Sequence, residues 1–139
     1  MKKEIITVYH TTQEGNGYKI INEGWHIPRQ IHIGQVYGRG IYFWELLEDA
    51  HNYGKLMYSS GKYEIIEEDI PLIEGKFMNY NHNNRMGSDH DMISKGLIKR
   101  GINCLIISRA YMDNSTMESK GRAFVWLVDI DKDYEAIYL

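Results

Sequence analysis

The segment "GRGIYFWELLEDAHNYG", residues 38–54, carries aromatic rings at a spacing that could do chemistry. Gly38 and Gly40 flank Arg39, the chain runs into Tyr42, Phe43 and Trp44, and Tyr53 follows Tyr42 by eleven positions, about three helical turns. Tyrosine faces attract flat cations, and glycine lets backbone approach a ligand closely. Upstream, His10 closes an apolar run in "VYHTT", followed by Thr11 and Thr12. Each residue alone has an ordinary reading: a strand-end histidine, a core tyrosine, the apolar face of a helix. Their order and spacing set them apart.

These side chains need elements to position them. "EIITVYH" is β-branched and aromatic, which predicts a first strand ending at His10. A polar loop follows, then a helix over "YKIINEG" with Tyr18, Ile20 and Ile21 at helical spacing and a stop at Gly24. A long connection bearing Pro28 leads to a short strand "IYFW". Residues 45–60 then read as a helix with Leu46, Leu47, Ala50 and Tyr53 on one face. "KYEIIEEDIPLIEGKFMNY" predicts strands broken at Pro71 and Gly75. Ser88 or Asp89 is expected to cap a helix ended by Gly101. "INCLIIS", "AFVWLVDI" and "YEAIYL" complete the strands. Strands and helices do not alternate regularly, so the expected class is α+β.

At 139 residues the chain predicts a single domain over 1–139, and 43% hydrophobic with 25% charged residues is ordinary for a folded globule. A net charge of −3 disfavours a non-specific nucleic-acid binder. The lone Cys104, in an apolar run, reads as a buried strand residue and points to a reducing compartment. No signal peptide or spanning segment is visible, so the expectation is a cytoplasmic protein without a membrane partner. His82, Asp89, His90 and Asp91 have types that suit a metal but no recognised ligand spacing. Capping and solvation explain them more cheaply, and no metal is expected.

The ordered set resembles the ADP-ribosyltransferases of the poly(ADP-ribose) polymerase and diphtheria-toxin type. In that family a strand histidine is followed some thirty residues later by a "G-x-G-[IV]-Y-F" strand, with a second tyrosine at the spacing seen here. "IINEGWHIPRQIHIGQVYGRGIYF" is similar to the family segment between these motifs, and the likeness is good over about residues 5 to 58. It implies a split β-sandwich of two small mixed sheets around a cleft for NAD. It also implies mono-ADP-ribosyl transfer to a protein, nucleic-acid or small-molecule acceptor, as in a toxin, a defence or counter-defence factor, or an antibiotic-inactivating enzyme. Carried over by motif, Tyr42 and Tyr53 would grip the nicotinamide, and backbone at Thr11 would bond its amide beside Thr12. His10 would bond the adenine-side ribose, Gly40 would let backbone come close to the ligand, and His26 would stand near the diphosphate.

The chain also departs from that pattern. The family glutamate near the start of a late strand is missing, because that strand opens Arg122, Ala123, Phe124. Glu118 is the nearest carboxylate and the first candidate for the third catalytic residue, with Asp113 second. The remaining alternative is no carboxylate at all, as in family members that transfer a single unit or that only bind NAD or ADP-ribose. Ala50 stands where the family often has a serine for the nicotinamide amide. The related RNA 2′-phosphotransferase chemistry is disfavoured by the acidic net charge.

Overall fold

A computed structural model describes residues 2–25, 36–58, 60–112 and 116–128. His26, Asp113 and the strand expected over 134–139 lie outside the described residues. The elements in chain order are β1 (Lys3–Gln13), α1 (Asn16–Glu23), β2 (Gly40–Trp44), α2 (Leu47–Met57), β3 (Tyr63–Ile73) and β4 (Phe77–Asn79). A 3-10 turn (Gly87–Asp89), α3 (His90–Lys99), β5 (Cys104–Ile107) and β6 (Ala123–Leu127) follow. The α+β class holds. The two separate sheets expected around a cleft are not observed: the described strands form one mixed six-stranded sheet in the order β3-β1-β2-β6-β5-β4. Only β4 and β5 run parallel.

β1 and β3 pair over their full length, from Lys3↔Ile73 to Gln13↔Tyr63. β1 therefore does not stop at His10, because β3 continues to pair with it. Pro71 does not break β3 either. The Glu74 N–H donates to the Lys2 carbonyl, so by alternation the even-numbered residues of both strands face each other. Pro71 turns its N–H-less side outward, and β3 is the sheet edge, where a proline costs no ladder bond.

Alternation along the strands splits the core in two. Val8, Phe43, Ile70, Cys104 and Phe124 pack with Trp25 on one face, under α1. Trp44, Leu105, Ile107 and Val125 pack with Ala50 of α2 and Leu97 of α3 on the other. The buried residues of α2 are Asp49, Ala50 and Gly54, whereas Leu46 and Leu47 are exposed, so the inward face is turned from the one expected. α1 likewise leaves Tyr18 and Ile21 in solvent. It is held by Gly17, whose N–H donates to Glu64 Oε1 at 2.8 Å and where a Cβ would lie 2.7 Å from that oxygen. Gly24 ends α1 as expected, its N–H donating to the Ile20 carbonyl. Asp89 occupies the N-cap of α3 without a side-chain capping bond.

Candidate functional site

The site begins where β1 and β2 part. They share one pair, Tyr9↔Trp44, while β2 pairs with β6 along all of Gly40–Trp44. The Glu45 N–H bonds the Arg122 carbonyl, so odd-numbered residues of this segment turn their backbone groups to β6, and Tyr42 and Trp44 turn theirs to β1. On β1 the even residues serve β3, which leaves Tyr9 and Thr11 facing β2. Continued pairing would set Thr11 opposite Tyr42. It stops one step short, and Thr11, 5% exposed, has no ladder partner in β2 for backbone groups directed into the gap.

The His10 imidazole fills one corner of this gap. Its Nδ1 lies 2.6 Å from the Tyr42 carbonyl oxygen. A carbonyl only accepts, so Nδ1 carries the hydrogen and Nε2 keeps a lone pair, with no hydrogen-bond partner among the described residues. Burial pushes the imidazole pKa down to about 4, against the upward pull of the Tyr42 carbonyl, so the ring is neutral at neutral pH. Trp25 meets the ring edge-on at 4.7 Å and Phe43 at 5.8 Å. The Thr11 hydroxyl donates to the Ala50 carbonyl at 2.6 Å, fastening β1 to α2.

The tyrosines lie on the other face of the sheet. The Tyr42 hydroxyl donates to the Gly38 carbonyl at 2.6 Å and accepts from the Tyr37 N–H at 2.9 Å. Burial raises its pKa well above the usual phenol value, and the nearby phenols of Tyr53, Tyr37 and Tyr80 add to the rise. The Tyr53 ring lies 5.3 Å from Trp44. His10, Tyr42 and Tyr53 are each partly exposed, with the His10 ring on the face of Trp25 and Phe43 and both tyrosine rings packed on the opposite face with Ala50 of α2.

The glycines before Tyr42 answer to packing. A Cβ on Gly40 would lie 2.3 Å from the Trp126 carbonyl oxygen, so its close approach is to β6. Arg39 is 2% exposed, and its guanidinium forks onto Asp91 at 2.5 and 3.1 Å. This pair holds the Asp91 carboxyl below its usual range.

Glu118 pairs with Tyr111 in an antiparallel bridge flanked by bonds from Met112 N–H to Met117 O and from Ser119 N–H to Ala110 O, both 2.8 Å. Its Oε1 stands 3.9 Å from His82 Nε2, both side chains about one-third exposed. Two residues not nominated from sequence build this end of the site. Tyr37, 1% exposed, donates its hydroxyl to the His82 carbonyl and accepts from the Tyr111 N–H, both at 2.9 Å. Asp49, 1% exposed, accepts from the Lys120 and Gly121 N–H groups at 2.9 Å, tying α2 to the segment before β6. Asp49 lies four positions before Tyr53, the one helical-spacing signal that could have found it.

Compared with protein-family models, curated proteins and solved structures, the chain shows no match. The site must be read from its own geometry. On the His10 face, a cavity of about 860 Å³ is lined by Gly17, Tyr18, Trp25, Glu64, Ile66 and Glu68, among others. Asp91 is engaged by Arg39. His90 is 3% exposed with neither ring nitrogen hydrogen-bonded among the described residues, its Nδ1 3.4 Å from Asp91 Oδ1. Among the described residues no three metal-ligand side chains converge. Cys104 is a core residue whose thiol burial pushes up to about 12. No described helix is long and apolar enough to cross a membrane.

Proposed function

We propose that the protein is an NAD-consuming mono-ADP-ribosyltransferase with an ADP-ribosyltransferase-type fold, and that the seam between β1 and β2 receives the nicotinamide. The observation that carries this reading is Thr11, whose backbone groups face the gap beside Tyr42 without a ladder partner. A primary carboxamide needs one donor and one acceptor, and a single strand residue offers both. The cationic ring lies against Tyr42 and Tyr53. The lone pair on His10 Nε2 accepts a ribose hydroxyl. The adenosine half extends toward the cavity beside Trp25, where Glu64 and Glu68 can accept from sugar hydroxyls.

Gripping nicotinamide serves mainly the ground state, because the ring loses its charge as the glycosidic bond breaks toward an oxocarbenium-like ribose. A carboxylate that meets the developing charge supplies the rate. Glu45 is held by Arg122 at 2.5 Å and Asp49 by two backbone N–H groups, and of the two carboxylates nominated from sequence we assign this role to Glu118, Asp113 lying outside the described residues. Ala50 offers no hydroxyl to the amide, a loss of about 1 kcal/mol of binding. A second reading, a module that holds NAD or ADP-ribose without cleaving it, is favoured by the lack of a carboxylate at Arg122, Ala123 and Phe124.

Nicotinamide release from NAD by purified protein separates the two. Tyr42→Ala is expected to weaken NAD binding about 30-fold, a cation–π contact of roughly 2 kcal/mol. Glu118→Gln is expected to lower turnover about 100-fold with binding little changed. Tight NAD binding without release by wild type supports the binding module. Release unaffected by either substitution contradicts both readings.

A further inference from the structure

We propose that His82 is the base that takes the proton from a hydroxyl acceptor, with Glu118 facing the imidazolium that forms. This rests on the NAD-cleaving reading and names the acceptor class which that reading leaves open. His82 Nε2 faces Glu118 Oε1 at 3.9 Å, and Nδ1 has no hydrogen-bond partner among the described residues. Both side chains are about one-third exposed, so an acceptor can reach them.

A single buried phenol sets both members of the pair. The Tyr37 hydroxyl donates to the His82 carbonyl and accepts from the N–H of Tyr111, the bridge partner of Glu118. The backbone N–H of the same residue holds the Tyr42 hydroxyl. Tyr80, two residues before His82, is among the phenols that act on Tyr42. The base and the nicotinamide slot are therefore fixed to one another through Tyr37.

The surroundings select the acceptor. A carboxylate arrives without a proton and needs no base. A lysine or arginine side chain brings positive charge toward the Arg85 guanidinium, which lies 4.0 Å from the centre of the Tyr111 ring that also contacts His82 at 5.4 Å. A hydroxyl is neutral and must lose its proton as it attacks, a task imidazole suits at neutral pH. In the step, the acceptor oxygen bonds the anomeric carbon of the ribose and the bond from that carbon to nicotinamide breaks. Its electron pair goes to the ring nitrogen, and the hydroxyl proton goes to His82 Nδ1 and then to solvent.

Methanol as acceptor and labelled nicotinamide as exchange partner test this, because nicotinamide re-enters NAD without any proton to remove. His82→Gln is expected to lose methyl ADP-riboside formation about 100- to 10,000-fold relative to label exchange in the same variant. Added imidazole should restore part of the transfer. His82→Asn, with its fold checked by circular dichroism, serves as the second variant. Parallel loss of transfer and exchange, or loss of neither, overturns the assignment of His82. So does a wild type that exchanges label but transfers nothing to methanol, although the NAD-cleaving reading then stands. A wild type that neither releases nor exchanges nicotinamide overturns both.

Discussion

The two edges of β2 are built from the same five residues and have opposite fates. Toward β6 every residue from Gly40 to Trp44 is paired, and at Gly40 there is no space even for a methyl group. Toward β1 only Trp44 is paired, and the next backbone groups meet a histidine side chain and a gap. Buried main-chain polar groups are rarely left without partners, because each lost bond costs free energy. A strand satisfied on one side and open on the other therefore separates scaffold from candidate site within one element.

Gly40→Ala is the sharpest way to break the closed edge. Its Cβ meets backbone rather than a movable side chain, so β2 and β6 must shift apart. The expected loss of stability is about 3 kcal/mol, at the upper end of overpacking costs, as a lower urea midpoint with unchanged slope. An unchanged midpoint would mean that this edge yields as easily as the other.

Acid probes the open edge. The unfolded His10 imidazole has its ordinary pKa of 6.5, and in the fold it sits at about 4. The unfolded chain thus binds more protons between these values, so stability falls as pH drops through 6.5 toward 4. The loss is about 2 kcal/mol at pH 5 relative to pH 7. Urea unfolding at the two pH values, compared with His10→Asn, should show this dependence in wild type and a flatter one in the variant. Equal dependence in both would place the imidazole in open solvent.

Local pattern made much of this legible. Short apolar runs found β2, β5 and β6, glycine marked the end of α1, and the spacing of His10, Tyr42 and Tyr53 nominated three residues of which His10 meets the Tyr42 carbonyl and Tyr53 shares the face of the Tyr42 ring. What stayed hidden depends on partners far along the chain. Pro71 reads as a breaker until β3 is known to be an edge. Arg39 looks like part of a glycine-rich ligand loop until Asp91 arrives from α3. Period tells which way a side chain points but not which strand lies beside it, so neither the single joined sheet nor the point where β1 leaves β2 could be read from sequence. Tyr37 and Asp49 escaped for the same reason, their partners being distant backbone groups.

The amide resonance of Thr11 in a ¹H–¹⁵N spectrum, followed as nicotinamide is titrated in, tests the central claim most directly. A carboxamide oxygen accepting from this N–H should move the resonance downfield, while Lys3 and Ile5, at the far end of β1, stay still. A Thr11 resonance that does not move at saturating nicotinamide, or shifts confined to residues away from the seam, would contradict the account.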